Sequence, residues 1–305
     1  MKAHQAGRTG VDAITIRDVT YSYPDGSLAL DGVSLKIVKG ERVAVLGPNG
    51  AGKSTLLMHM AGLFIPQRGE VTILGLPVNG RNIHKIRRNI GMVFQNPDDQ
   101  LFCSTVYEDV SYGPLNLGLA KDEVASKTRE ALRRVGLEGF EDRPPHRLSE
   151  GEKKKVAIAT VLPMQPKIMI VDEPTSNLDP ESRRELIDLI KGLWERQNFT
   201  LVVATHDVDL IPHVADRTII LNQGRLIGEG PVRETLLNPE LLRKARLELP
   251  TITRLFHLLE EKRMARGGGR PLTVDEGLEE IQYLIRELKR SRKSPVGKRL
   301  SSVER

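Results

Sequence analysis

Three short runs along the chain are almost entirely apolar. They are four or five residues long and comprise Arg42–Leu46, Ile168–Val171 and Leu201–Ala204. A strand that is covered on both faces appears as a continuous apolar run, because the side chains on each side of the pleat meet other side chains. The runs therefore predict buried strands of a mainly parallel sheet with helices on both of its faces.

Two stretches near the N-terminus alternate between apolar and polar positions instead. Ile14–Tyr23 and Val33–Val38 show the period of two that is typical of strands with one face in solvent. Further along, Thr218–Leu221 and Arg225–Ile227 flank a turn at residues 222–224 and predict a hairpin. We therefore expect an α/β fold with an antiparallel β portion on the N-terminal side of a mainly parallel core sheet.

Helical patterns dominate residues 96–165. In Asp122–Gly136 the apolar positions fall on one face of a helix, and Gly136 suits the C-terminal cap. A second helix is predicted over Glu150–Leu162. We interpret this part of the chain as a helical subdomain inserted in an α/β domain that covers residues 1–230.

After residue 230 the strand pattern stops. Asn238-Pro239 is typical of a helix start, Leu249–Arg263 predicts a helix, and Gly267–Gly269 predicts a flexible break. Thr273 and Glu276 have the spacing of a capping box. The helix that follows carries one apolar stripe, formed by Leu278, Ile281, Leu284, Ile285 and Leu288. Residues 231–305 are therefore predicted to form a helical extension.

Composition and charge narrow the class of protein. No apolar run approaches the roughly 18 residues that a membrane span needs. We expect no secretory leader, because residues 1–12 are polar, and no internal disulfide, because Cys103 is the one cysteine. The formal net charge of +6 equals the net charge of residues 284–305, so the excess is confined to a basic tail. A nucleic-acid-binding surface across the whole chain is therefore not expected.

A glycine-rich loop follows the first apolar run and leads into a predicted helix, Lys53–Leu63. The loop reads Gly47-Pro48-Asn49-Gly50-Ala51-Gly52-Lys53-Ser54-Thr55 and matches the G-x-x-x-x-G-K-[ST] pattern. Glycines let successive backbone N–H groups converge on phosphate oxygens, and the positive end of the helix adds to the attraction. Lys53 is then expected to reach the β- and γ-phosphates and Ser54 to ligate Mg²⁺.

The second apolar run ends in two carboxylates, Asp172 and Glu173. A ligand of an open α/β sheet lies at the carboxyl ends of its strands, so we expect Asp172 to hold the magnesium ion of a nucleotide. Glu173 is the candidate general base for a water near the γ-phosphate. Together with the loop, these residues indicate an enzyme that acts on a nucleoside triphosphate.

With these motifs in place, residues 14–230 resemble the ATP-binding cassette ATPases, a family of P-loop NTPases. Further motifs occur in the order and spacing of that family. They are Gln95 after the strand Ile90–Phe94, Leu148-Ser149-Glu150-Gly151-Glu152, Ser176-Asn177-Leu178-Asp179, His206 after the third apolar run, and Tyr23 ahead of the loop.

The resemblance implies a role for each of these residues. Gln95 is implied to touch Mg²⁺ and the attacking water, His206 to act as the switch histidine, and Tyr23 to stack on adenine, although the neighbouring Tyr21 is an alternative. The resemblance implies that the signature motif, here Ser149 and Gly151, lies against the γ-phosphate of a partner chain's ATP, and that Asp179 of the D-loop is a further nucleotide-binding residue. One cassette per chain therefore implies a dimer, with either an identical or a different ATPase subunit.

The signature motif departs from the common LSGGQ form. Glu150 stands where the family has glycine, and Glu152 stands where it has glutamine. Ser149 and Glu152 also form a capping box, which by itself predicts the start of a helix. Two carboxylates beside a polyphosphate are unfavourable unless they point away from it, so we expect the Ser149 hydroxyl and the Gly151 backbone to make the contact.

The segment after Gln95 is similar to the energy-coupling-factor subgroup, which includes cobalt and nickel importers. The similarity rests on Tyr21–Gly26, Phe94–Phe102 and Thr105–Asn116. It implies an ATPase subunit on the cytoplasmic face of the cell membrane, with a transmembrane coupling subunit and a membrane subunit that binds the solute. We predict that this segment binds a basic helix of the partner through four apolar residues, Leu101, Phe102, Val106 and Tyr107. These residues lie among four acids, Asp98, Asp99, Glu108 and Asp109. Internal packing is the alternative for these apolar residues.

Other functions remain open from the sequence. A vitamin or another small solute is an alternative cargo, and a soluble ATPase whose basic tail binds nucleic acid is an alternative of a different class, although we expect no nucleic-acid partner. A P-loop kinase outside this family is disfavoured by the signature motif, Gln95 and His206. The tail itself is expected either to sense anionic lipid headgroups or to be a solvated end.

Overall fold

A computed structural model describes residues 10–262 and 269–293. The strands are β1 (Asp12–Ser22), β2 (Leu28–Val38), β3 (Arg42–Leu46), β4 (Arg68–Ile73), β5 (Leu76–Pro77), β6 (Ile90–Val93), β7 (Ile168–Asp172), β8 (Thr200–Thr205), β9 (Arg217–Asn222) and β10 (Arg225–Pro231). The helices are α1 (Lys53–Met60), α2 (Ile83–Arg87), α3 (Val106–Asn116), α4 (Lys121–Arg134), α5 (Glu150–Val161), α6 (Pro180–Gln197), α7 (Ile211–Val214), α8 (Val232–Leu236), α9 (Pro239–Lys244), α10 (Thr251–Glu261) and α11 (Val274–Lys293). Short 3₁₀ turns cover Pro97–Asp99, Pro145–Arg147 and Leu162–Met164.

The strands form two sheets. One is antiparallel with the order β2-β1-β4-β5, and the other has the order β10-β9-β3-β8-β7-β6. In the second sheet all neighbours from β9 to β6 are parallel, and β10 pairs antiparallel with β9 as a hairpin. The structure confirms the α/β class, the parallel core and the antiparallel N-terminal portion.

The parallel sheet is covered on both faces, as its apolar runs predict. Val202 and Ala204 of β8 pack into a hydrophobic cluster shared with the antiparallel sheet and α1. Leu201 and Val203 of the same strand pack on the opposite face, against α5 and α6. All four side chains are at most 1% exposed. The carboxyl ends of these strands are therefore held by a tightly packed sheet.

Residues 96–165 are helical, with α3, α4 and α5 packed on one another. The predicted face of α4 is buried through Val124, Thr128, Ala131 and Leu132. Thr105 and Ser149 each form a complete capping box, at the starts of α3 and α5 respectively. The helical character is confirmed by the structure, whereas the outer limits of a subdomain stay a prediction.

In the segment after Gln95, some of the predicted apolar anchors are buried and others are exposed. Leu101 and Val106 are buried in the core beneath α3 and α5, so their prediction as surface anchors is wrong and internal packing is correct for these two. Asp109 is buried as well, because its carboxylate accepts from the Phe102 and Cys103 N–H groups. Phe102 is 66% exposed and keeps an outward position.

The acids of this segment have local partners. Asp98 accepts from Lys153 at 2.8 Å, and the Glu108 carboxylate accepts from the N–H groups of Ser104 and Thr105. The exposed large apolar side chains of this segment are Phe102, Tyr112 and Leu115, which we call the Phe102 patch. The Phe102 and Tyr112 rings meet edge to face at 5.0 Å.

The C-terminal helices pack against the end of the parallel sheet. Asn238 caps α9 as predicted, and Thr273 precedes α11, although the Glu276 carboxylate accepts from the Leu272 N–H and not from that of Thr273. Leu236 and Leu242 share a hydrophobic cluster with the β3 residues Ala44 and Leu46. The boundary predicted at residue 230 therefore lies within continuous packing, and the division into two domains stays a prediction.

One polar contact joins these helices to the loop after β8. The Thr251 N–H and hydroxyl donate to the two carboxylate oxygens of Asp209 at 2.8 and 2.7 Å. Leu278, Ile281 and Ile285 of the predicted stripe are exposed on α11. The basic residues from Lys289 onward lie outside the side chains that the structure describes, as do residues 267 and 268 of the predicted break.

Candidate functional site

The glycine-rich loop connects β3 to α1 at the carboxyl edge of the parallel sheet. Gly52 is the N-cap of α1 with φ +98°, and it provides no side chain to cap the first turn. A Cβ atom at Gly52 would lie 2.4 Å from the Ala29 carbonyl oxygen, so the loop needs glycine here for both space and conformation. The first N–H groups of α1 are left for an external anion, as expected of a phosphate site.

Lys53 is folded onto its own loop in this structure. Its ammonium donates to the carbonyl oxygens of Gly47 at 2.9 Å and Pro48 at 3.3 Å, and it lies 3.3 Å from Glu173 Oε1. The side chain is only 7% exposed. Three contacts use the three donors of an ammonium, so a phosphate that binds Lys53 has to replace at least one of them.

Glu173 follows β7 and is held from three directions. His206 Nδ1 lies 2.9 Å from Oε1, and the Thr205 hydroxyl donates to Oε2 at 3.2 Å. The Lys53 ammonium completes the set, and Glu173 is 5% exposed. An ionised carboxylate only accepts hydrogen bonds, so His206 Nδ1 carries a proton in this contact. The structure thus brings Lys53, Glu173 and His206 together, as the motifs predict.

Asp172 lies at the end of β7 beside the loop. Its carboxyl is hydrogen-bonded to the Ser54 side chain, and burial raises its pKa. Asp172 Oδ1 is buried and has no hydrogen-bond partner. A buried carboxylate oxygen next to a hydroxyl fits a magnesium ion, which takes oxygen ligands and keeps several from water or phosphate. Asp172 and Ser54 could therefore hold the metal of a bound nucleotide.

Tyr23 lies just beyond the end of β1, above α1. Its hydroxyl is 2.9 Å from Thr55 Oγ1, and the side chain is partly exposed at the edge of the loop. Tyr21, by contrast, packs into the core and stacks on Phe64 at 5.1 Å. Tyr23 is thus the more exposed of the two tyrosines, which keeps it as the candidate for the adenine contact.

Asn49, Gly50 and Ala51 occupy the turn of the loop. Gly50 has φ +76°, and Ala51 is buried where its carbonyl accepts from the Gly224 N–H. Asn49 is exposed and lines a cleft of about 310 Å³ together with His206. The loop and the histidine therefore face a common opening.

Four predicted residues lie apart from the loop. Gln95 is exposed after β6, and Ser149 and Gly151 begin α5, with Gly151 close to Ser182 of α6. Asp179 caps α6 by accepting from the Glu181 and Ser182 N–H groups. In the described part of the chain, no hydrogen bond or ion pair links these four to the loop.

The two unusual carboxylates of the signature motif have partners of their own. Glu152 accepts from the Ser149 N–H and hydroxyl, both at 2.8 Å, and these bonds lower the pKa of its carboxyl. Glu150 lies 3.6 Å from the Lys153 ammonium. Both carboxylates therefore contact residues at the start of α5 itself. The Ser149 hydroxyl already caps this helix, so any contact with an anion would have to share it.

Thr205 is a site residue that the sequence motifs do not single out. It is the last residue of β8, directly before His206, and its hydroxyl donates to Oε2 of Glu173. The signal available in the sequence is its position at the end of an apolar strand that runs next to β7.

Comparison with known proteins gives a consistent assignment. A family described as ABC transporter matches residues 30–176. The energy-coupling factor transporter ATP-binding protein EcfA of Methanocaldococcus jannaschii is 46% identical over 251 residues, which cover 82% of this chain and 90% of the relative. The EcfA protein of Methanothermobacter thermautotrophicus is 49% identical over 275 residues, covering 89% and 87%.

Solved structures agree with these relatives. CbiO1 of Clostridium perfringens, part of the ABC transporter complex cbiONQ, is 41% identical with a TM-score of 0.69 and covers 82% of this chain and 99% of its own. The dimeric cassette MJ0796 bound to ADP and Pi is 33% identical with a TM-score of 0.66, covering 72% and 99%. With identities of 41–49% over more than four fifths of its length, the chain belongs to the ATP-binding cassette ATPases of ABC transporters, in their energy-coupling-factor group.

Proposed function

We propose that this chain hydrolyses ATP to power a membrane importer of the energy-coupling-factor type. The observation that carries the proposal is the carboxylate of Glu173, buried between the loop lysine Lys53 and His206. A carboxylate in this position accepts the proton of a water that attacks the γ-phosphate, and the histidine at 2.9 Å orients it. Gln95 is proposed to reach the same water from the end of β6.

Binding of the nucleotide is assigned to the loop and its surroundings. The backbone N–H groups from Asn49 to Thr55 surround the phosphates, and Lys53 exchanges its carbonyl partners for the β- and γ-phosphates. Tyr23 covers the adenine. The loop residues that take part are Gly47, Asn49, Gly50, Ala51, Gly52, Lys53, Ser54 and Thr55.

The proposed metal ligands are Ser54, Asp172 and, from the neighbouring strand end, Gln95. When bound, Mg²⁺ neutralises charge that develops on the phosphates. Asp172 holds a fixed negative oxygen toward the ion, and the Ser54 hydroxyl adds a neutral one. These residues fit because Asp172 Oδ1 is buried without a protein partner.

Replacement of Asp172 by asparagine is expected to raise the Mg²⁺ requirement. The amide keeps the size of the side chain but removes its negative charge. We expect the Mg²⁺ concentration for half-maximal ATPase activity to rise by about tenfold or more, the size of effect known even for groups that only support metal ligands. The exposed Asp188→Asn on α6 is the matched control, and an unchanged Mg²⁺ titration of Asp172→Asn contradicts the assignment.

A second ATPase subunit, identical or homologous, is proposed to complete each site. Ser149, Gly151 and Asp179 lie apart from the loop of their own chain, so their place is at the γ-phosphate held by the partner chain. The exposed Leu278, Ile281 and Ile285 of α11 add an apolar face for the same dimer.

The transmembrane coupling subunit is proposed to dock on the Phe102 patch, beside the loop that begins at Gln95. An aromatic pair that is more than half exposed is a typical anchor for a partner helix. The docked subunit, together with a membrane subunit that binds the solute, places the chain at the cytoplasmic face of the membrane. None of the helices in the two described ranges is long and apolar enough to span a bilayer itself.

Replacement of Phe102 by serine is expected to uncouple the chain from its membrane partner. We expect the coupling subunit to be lost from detergent-purified complexes. Basal ATPase activity of the separate chain is expected to change less than about twofold, because the Phe102 side chain is 66% exposed and its ring contact is with Tyr112 of α3. Val11→Ser, at a side chain that is 67% exposed, controls for removing a surface hydrophobe. Retention of the coupling subunit by Phe102→Ser contradicts the proposed docking surface.

Cobalt or nickel ions are the proposed cargo, on the basis of the resemblance of residues 94–116 to that subgroup. The test is ATP-dependent uptake of Co²⁺, Ni²⁺ or a labelled vitamin into vesicles that contain the chain with its membrane subunits. Vitamin uptake without metal uptake would move the chain to a vitamin importer. ATPase activity with salt-sensitive nucleic-acid binding, and without any membrane partner, would favour the soluble alternative.

A further inference from the structure

Three consecutive lysines on α5 have different environments. Lys153 pairs with Asp98 at 2.8 Å, and Lys155 pairs with Glu185 at 2.5 Å. Lys154, between them, is 4% exposed. In the described ranges no carboxylate oxygen lies within ion-pair distance of its ammonium, so its hydrogen-bond partners are neutral. The carboxylates of Glu150, Glu173 and Asp172 act on its charge from a longer distance.

These neutral partners come from two different loops at the carboxyl edge of the sheet. Lys154 Nζ donates to the Gln95 carbonyl at 3.1 Å, after β6, and to the Glu173 carbonyl at 3.2 Å, after β7. It also donates to the Ser176 hydroxyl at 3.1 Å. All three ammonium donors are used, which offsets part of the cost of burying the charge. Burial lowers the pKa of Lys154.

The Glu173 carbonyl belongs to a backbone in an uncommon conformation. Glu173 has φ +43°, a value that costs a non-glycine residue about 1–2 kcal/mol. The same carbonyl also accepts from the Ser176 hydroxyl at 2.9 Å and the Ser176 N–H at 3.2 Å. Two of these three donors belong to the turn itself, and Lys154, on α5, is the donor that reaches the carbonyl from outside the turn.

We propose that Lys154 is a positioning residue that ties the backbone after β6 to the backbone of Glu173. Because one ammonium contacts both carbonyls, a displacement of the Gln95 loop shifts the turn that aims the Glu173 carboxylate. The proposal rests on the proposed function, in which Glu173 acts on the attacking water. It assigns to α5 a second task besides presenting Ser149, which is to keep two loops of its own chain at a constant separation.

The test compares Lys154→Met with Lys155→Met and Lys153→Met. All three substitutions remove one ammonium from the same helix, but only the first removes contacts with both loops. Lys153→Met removes the contact with Asp98 on the Gln95 loop alone, and Lys155→Met removes a contact with α6 and with neither loop. Amide hydrogen exchange is measured over residues 94–96 and 173–176 in the full chain. We expect exchange in both segments to rise by about tenfold in Lys154→Met and to stay unchanged in Lys155→Met, while Lys153→Met is expected to affect residues 94–96 at most. A change in neither segment, or in one alone, overturns the proposal whether or not the chain hydrolyses ATP.

Steady-state kinetics provides the second readout. We expect kcat of Lys154→Met to fall about 10- to 100-fold, as for supporting residues around other sites, with the affinity for ATP unchanged within about threefold. Lys154→Gln, which retains two amide donors, is expected to recover part of kcat. A raised KM with normal kcat would assign Lys154 to nucleotide binding and overturn a positioning role. If the unmodified chain has no ATPase activity, that result counts against the proposed function. The exchange data still test whether Lys154 connects the two loops.

If Lys154→Met does not fold, Ser176→Ala provides the alternative measurement. It removes the shared hydroxyl while leaving the ammonium with its two carbonyls, so loosening is expected in residues 173–176 and not in 94–96. Combined with Lys154→Gln, it is expected to reduce kcat by less than the product of the two single effects, because both act on the Glu173 turn. Independent, multiplicative effects contradict the tie.

Discussion

Replacement of Glu173 by glutamine is expected to lower the ATPase rate by about 10²- to 10³-fold. The amide has the same size and still accepts from the Thr205 hydroxyl, but it no longer takes a proton from water. Nucleotide affinity is expected to stay the same or to increase, since Lys53 no longer has to leave a charged partner at 3.3 Å. Phosphate release and the binding of a fluorescent ATP analogue measure the two effects separately.

Glu195→Gln, at an exposed position of α6, is the matched control and should leave both quantities unchanged. A Glu173→Gln rate within about threefold of the unmodified chain would remove Glu173 as the base. Loss of nucleotide binding together with activity would instead indicate a structural role in the loop, through the contact with Lys53.

Replacement of Gly52 by alanine is expected to abolish nucleotide binding. Two costs combine at this position, because φ is +98° and the added methyl group would lie 2.4 Å from a backbone carbonyl oxygen. Relief of the contact has to move the loop away from Ala29, which turns the first N–H groups of α1 away from the phosphates. We expect affinity for ATP to fall at least about 100-fold and the free energy of unfolding to fall by about 2–4 kcal/mol.

Gly75→Ala separates the two costs. Gly75 has φ +81° with no atom within 4 Å of an added Cβ, so it bears the conformational cost alone, about 1–2 kcal/mol. Urea unfolding and ATP titration of both variants give the comparison. If Gly52→Ala resembles Gly75→Ala in stability and still binds ATP, the close approach to Ala29 has no functional importance.

Patterns in the sequence predict the sheet better than the helices that cover it. A strand buried on both faces carries its own signal, and β3, β7 and β8 lie where the apolar runs are. The sequence analysis predicts no helix over α6, although its residues Leu186, Ile190 and Leu193 have helical spacing and are buried. Its N-cap residue, Asp179, is interpreted from the sequence as the last residue of the D-loop motif and not as a helix start.

The site follows a similar division. The loop, Asp172, Glu173 and His206 are adjacent to strand ends in the sequence, and parallel pairing brings those ends together. Lys154 could not be identified in this way, because it is one of three consecutive lysines and its burial depends on which side of α5 faces the strand ends. The anchors Leu101 and Val106 were misplaced for the same reason, since an apolar residue does not show from which side it will be covered.

The contact between Thr251 and Asp209 has a consequence for how the chain can be divided. Hydrogen bonds run without a gap from Glu173 to Thr205, from Thr205 to Asp207, from Asp207 to Asp209, and from Asp209 to Thr251. A fragment that stops at residue 230 keeps every motif of the family yet loses the last member of this series. We therefore expect the turnover of such a fragment to differ from that of the full chain, because the proposed base Glu173 would lose one of its indirect supports.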